Sequence, residues 1–144
     1  MVEQTERSLL LPPTARSTTQ ARRFVLGALS DWRLDGLADT VALLTSELVT
    51  NSVLHARTEI EVTVTRLADG VAVAVSDGSR RAPVHRMQHD DATTGRGVEL
   101  LQQLATEWEV ALRETGKTVR FTVSEKLDPW AAYTGSGWVE GAEA

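Results

Sequence analysis

Hydrophobic and polar positions follow two periods along this chain, and the places where one gives way to the other mark its elements. Leu9, Leu10 and Leu11 form a short apolar run stopped by Pro12 and Pro13, which have no amide with which to continue a ladder, so the run reads as an edge strand. Ala21, Phe24, Val25, Ala28 and Leu29 then recur at helical spacing to about Trp32. Ser17 or Thr18 is the expected cap of that helix, and Arg22 and Arg23 fall on its wet side. A second helix is predicted from Asp35, whose carboxylate suits the free amides of a first turn, to about His55. Val41, Leu44, Leu48 and Val49 supply its core stripe, while Glu47, Asn51 and His55 make a polar column at four-residue spacing.

From Ile60 the period changes to two. Ile60, Val62 and Val64 alternate with polar residues, Asp69 and Gly70 provide a turn, and Val71, Val73 and Val75 alternate again, predicting a hairpin with one buried face. The stretch from Asp77 to Gly97 has no period and carries four arginines, Arg80, Arg81, Arg86 and Arg96, a loop length that usually accompanies function or disorder. Leu100, Leu101 and Leu104 predict a third helix from Val98 to about Ala105. Two more strands follow, with Trp108, Val110 and Leu112 alternating, a turn at Thr115-Gly116, and Val119, Phe121 and Val123 alternating. The expected fold class is α+β: a two-layer sandwich in which a mostly antiparallel sheet is covered on one face by about three helices. Residues 1–126 read as one domain and 127–144, rich in Gly and Ala despite Trp130 and Trp138, as a mobile tail.

Composition narrows the function. A length of 144 residues with 42% hydrophobic content suffices for one core. The net charge of −5 argues against a sequence-independent grip on nucleic acid, which needs clustered Lys and Arg. There are no cysteines, and His55, His85 and His89 are too scattered for a zinc site. No run approaches the roughly 20 apolar residues of a bilayer span, and the first residues do not make a signal peptide, so the expected location is cytoplasmic, with no membrane partner.

The candidate chemistry lies in separate short motifs. Glu47 and Asn51, one turn apart on a helix, suit an amide oxygen that holds a divalent cation beside a carboxylate that orients a nucleophile and takes its proton; a surface polar pair is the plainer alternative. Asp77 sits where a buried strand ends, and its acceptor-only carboxylate suits the exocyclic amine of adenine, with Gly78 allowing close backbone approach; Asp-Gly is otherwise simply a turn. Gly95, Arg96 and Gly97 precede a helix, where free amides and a guanidinium suit a triphosphate, unless they are only a connection. Thr118, on the last strand, has a hydroxyl that suits the same adenine contact, or a side chain chosen for strand propensity.

Taken in order, these motifs resemble those of the gyrase, heat-shock-chaperone, histidine-kinase and mismatch-repair ATPases, the GHKL superfamily with its Bergerat fold. ELVTNSVLHA resembles the superfamily's N-box, DGSRRAP an Asp-x-Ser-x-x-x-Pro form of its first glycine box, TGRGV the second, and GKTVRF the final threonine motif, spread between about Leu9 and Val123. Within the superfamily the chain is similar to the compact anti-sigma-factor serine kinases. That resemblance implies ATP and Mg2+ as cofactors, bound by Asp77, Gly78, Gly95, Arg96, Gly97, Thr118 and Asn51, with Asn51 on the metal and Glu47 catalytic. It also implies a serine/threonine protein kinase acting on a small anti-anti-sigma protein of the STAS type, a sigma factor as second partner, and a homodimer. Two rivals stay open: an ATP-gated interaction module without phosphotransfer, and an ATP hydrolase using the same glutamate on water. The first box departs from the Asp-x-Gly-x-Gly pattern, with Ser79 and Arg81 in place of its glycines.

Overall fold

Both periods become structure in a computed structural model, which describes residues 5–79 and 99–125. The elements are β1 (Glu6–Leu11), α1 (Arg16–Asp31), α2 (Ala38–Asn51), β2 (Ile60–Leu67), β3 (Gly70–Asp77), β4 (Glu107–Arg113) and β5 (Gly116–Ser124). A third helix, α3, is described over residues 99–104. The strands form one five-stranded sheet in the order β1-β2-β3-β5-β4, antiparallel at every pairing. This is the expected α+β layering, an open antiparallel sheet with helices over one face.

Register explains which face is covered. Val62 stands opposite Val75, Val75 opposite Val119, Val73 opposite Phe121, and Val110 opposite Val119, so the apolar sets of four strands fall on one side of the pleat. Against that side pack Ala21, Val25, Ala28 and Leu29 of α1, Val41, Leu44, Leu48 and Val49 of α2, and Leu101 and Leu104 of α3, all buried. The reverse face carries small and hydroxyl-bearing residues, among them Thr63, Ala74, Ser76, Thr118 and Thr122. Edge strand β1 is tied back to α1 by Arg7, whose Nη1 donates to Asp31 Oδ2 at 2.8 Å and whose guanidinium lies 5.2 Å from the Trp32 ring centre.

The helix starts differ from expectation. Neither Ser17 nor Thr18 caps α1, whose N-cap is Ala15; the buried Ser17 hydroxyl instead donates to the Pro12 carbonyl and fastens the helix to the exit of β1. Asp35 opens a 3-10 turn, Asp35–Leu37, with no side-chain cap. At its other end α2 does not run on to His55 as regular α-helix. Ser52–Ala56 forms a π-helical turn, closed by Arg57 N donating to Ser52 O at 3.2 Å and terminated by Arg57 in the left-handed region, φ 57°. The wider turn changes the phase of the residues that follow Asn51.

One glycine fixes how the sheet closes. The expected turn at Thr115-Gly116 is instead a two-residue loop, Glu114-Thr115, between the paired residues Arg113 and Gly116. At Gly116 an added Cβ would lie 2.0 Å from the Asp77 carbonyl oxygen, so β5 reaches the end of β3 only without a side chain there. Gly116→Ala is therefore expected to cost about 1–3 kcal/mol, the range for overpacking, read as a lowered urea midpoint; an unchanged midpoint would mean that the two strand ends separate freely. No helix among the described residues is long and apolar enough to cross a membrane. The expected tail, residues 127–144, lies outside the described residues.

Candidate functional site

Three elements converge at one end of the sheet: the end of α2, the end of β3 and the start of β5. The alternation that buries Val71, Val73 and Val75 also puts Asp77 on the helix-facing side, where its side chain is 1% exposed. A buried carboxylate needs donors, and the chain provides them. Ser52, the first residue of the π-helical turn, donates its hydroxyl to Asp77 Oδ2 at 2.5 Å. Lys117 Nζ stands 2.9 Å from Oδ2 and 3.0 Å from Oδ1, and the Ser79 amide donates to Oδ1 at 2.9 Å. The Ser52 bond brings the helix carrying Glu47 and Asn51 against the strand carrying Asp77.

Asn51 immediately precedes Ser52. Its Oδ1 is buried and finds no hydrogen-bond partner among the described residues, and the same holds for His55 Nε2. An acceptor of this kind is costly unless a donor or a cation meets it, and an amide oxygen is a suitable magnesium ligand. Among the described residues no group of three or more His, Asp or Glu is placed to hold a metal. Magnesium needs no such cage when substrate phosphates and water complete its shell, so the donor set fits. Glu47, one turn earlier and half-buried, lies beside the buried positions Leu44 and Leu48.

One expected contact is corrected. Thr118 does not stand beside Asp77. Strand pairing sets Asp77 opposite Lys117 and Ser76 opposite Thr118, so the Thr118 hydroxyl is on the reverse face, 2.7 Å from Ser76 Oγ. Residues 71, 73, 75 and 77 share one parity of the pleat, as do 117, 119, 121 and 123, and that parity was the available signal for Lys117. The Gly78 amide donates to Thr58 Oγ1 at 2.7 Å, and an added Cβ would lie 3.0 Å from the Thr58 side chain. Gly95, Arg96 and Gly97 lie outside the described residues.

A cavity of about 340 Å³ lined by Leu67, Asp69, Thr106, Arg120, Thr122 and Ser124, among others, lies at the opposite end of β3 and shares no residue with the Asp77 cluster.

The sequence profile of the histidine kinase-like ATPase domain family matches residues 11–123, which includes Glu47, Asn51, Asp77 and Lys117. Among solved structures, the chain is similar to the histidine kinase domain from the Erythrobacter litoralis EL346 blue-light activated histidine kinase, at 23% identity and a TM-score of 0.49, over 62% of this chain and 45% of that one. The chain thus spans less than half of the structure it resembles. Curated proteins gave no match.

Proposed function

Because the chain belongs to the histidine kinase-like ATPase domain family, we propose that it binds Mg-ATP and acts as an anti-sigma-factor-type serine/threonine kinase. In this reading it phosphorylates a small STAS-domain antagonist in the cytoplasm and so regulates sigma-factor-dependent transcription, as a homodimer. The single observation behind it is the buried Asn51 oxygen, without a partner among the described residues and next in sequence to the serine that binds Asp77. A metal-binding amide and a base-reading carboxylate are thereby held on adjoining elements.

The residues divide the work. Asp77 accepts from the exocyclic amine of adenine, and Asn51 Oδ1 holds the cation. Gly95, Arg96 and Gly97 bind phosphate through amides and a guanidinium. When bound, magnesium offsets the charge of the transferring phosphoryl group. Glu47 orients the antagonist's serine hydroxyl and accepts its proton, a role for which position matters more than any covalent chemistry.

Incubation with γ-labelled ATP and candidate STAS proteins tests the reading: label is expected on a serine of the antagonist. Bound ATP without transfer would leave an ATP-gated interaction module, and phosphate release without an acceptor would leave a hydrolase. Asn51→Ala separates metal binding from folding. It removes a buried acceptor that lacks a partner among the described residues, so the urea midpoint should hardly move, while the gain in ATP affinity on adding magnesium should largely disappear. Wild-type magnesium dependence in that variant would take the cation away from Asn51.

A further inference from the structure

A carboxylate has about four lone-pair sites, and those of Asp77 already receive Ser52, Ser79 and both contacts of Lys117. A base amine therefore meets an acceptor that is already filled. Of the three donors, Ser79 offers a backbone amide and Ser52 a hydroxyl on a one-carbon side chain fixed to a helical turn. Lys117 alone is a long chain with several rotatable bonds, and it is the more exposed member of the pair, its side chain 10% exposed against 1% for Asp77. Ammonium and exocyclic amine are both nitrogen donors without acceptor capacity toward a carboxylate, so one substitutes for the other.

We propose that Lys117 is an intramolecular competitor of the nucleotide base, its ammonium occupying the Asp77 acceptors that the base amine takes over when nucleotide binds. The proposal rests on the nucleotide reading of Asp77 given above. Without ligand, the pair keeps a buried carboxylate from standing alone. With ligand, Lys117 moves into water, where hydration offsets the lost ion pair, and Asp77 passes to the base. A base without the amine, such as the hypoxanthine of ITP, has no donor to exchange and leaves Lys117 in place. Affinity for ATP is thereby set below that of an unfilled acceptor. If Lys117 holds the site closed about nine-tenths of the time, removing it tightens ATP about tenfold, because apparent affinity scales with the competent fraction.

The test uses the wild-type chain. Lys117 and Lys126 are its lysines, so trace acylation read by peptide mass spectrometry reports Lys117 against an internal reference. With ATP binding followed by calorimetry on the same sample, Lys117 should acylate more slowly than Lys126 without nucleotide and severalfold faster at saturating ATP, with no acceleration by ITP. Lys117→Met should bind ATP about tenfold more tightly than wild type. If that variant does not fold, the labelling decides alone. Calorimetric ATP binding with Lys117 unchanged or further protected overturns the proposal, whereas a folded wild type that gives no heat with ATP overturns the nucleotide reading itself.

Discussion

Glu47→Gln is expected to bind ATP as the wild type does and to transfer its phosphate about 10²–10⁴-fold more slowly, the range usually lost with a general base. The substitution keeps the size and planarity of the side chain and most of its hydrogen-bonding capacity, but an amide cannot take the serine proton. Glu47 lies beside the buried stripe of α2 rather than in it, so the packing of Leu44 and Leu48 against the sheet is left intact. Single-turnover transfer from labelled ATP, beside calorimetric ATP binding on the same sample, checks both halves of the expectation. Wild-type transfer by this variant would move the base elsewhere; loss of ATP binding would make Glu47 a binding residue.

The largest effect on stability is expected at Asp77. Asp77→Ala leaves Lys117 buried without its partner and takes the acceptor from the Ser52 hydroxyl and the Ser79 amide, at three converging elements together. Removing one member of a buried ion pair costs about 3–5 kcal/mol, enough to consume much of the stability of a domain this size. Urea unfolding should show a markedly lower midpoint with an unchanged slope. Adding Lys117→Met to Asp77→Ala should restore a substantial part of that loss, since the uncompensated charge is then gone, and ATP binding should stay absent because no carboxylate remains to read the base. If the double variant is no more stable than Asp77→Ala, the pair contributes through something other than charge.

The sequence carried the architecture because the apolar spacing of each element is unambiguous. Val71, Val73 and Val75, Val119, Phe121 and Val123, and the helical recurrence of Ala21, Val25, Ala28 and Leu29 all point to the side they bury. Local chemistry was less legible. Ser17 was a sound cap by type, yet its hydroxyl finds the Pro12 carbonyl, a partner that exists only once β1 and α1 are folded together. The π-helical turn at Ser52–Ala56 has no signal in side-chain pattern, and it presents Ser52 to Asp77. Residue type and the GKTVRF motif both point to Thr118 as the partner of Asp77. Pleat parity, which sends neighbours to opposite faces, gives that place to Lys117, a residue that propensity would not put in a buried position.

The end of α2 and the end of β3 are proposed to form two walls of one nucleotide site. Isothermal titration of the wild-type chain with ATP, with and without magnesium, tests this most directly. Saturable binding at one site per chain, weakened when magnesium is withheld, is the predicted result. A folded protein that takes up no ATP under either condition would contradict it.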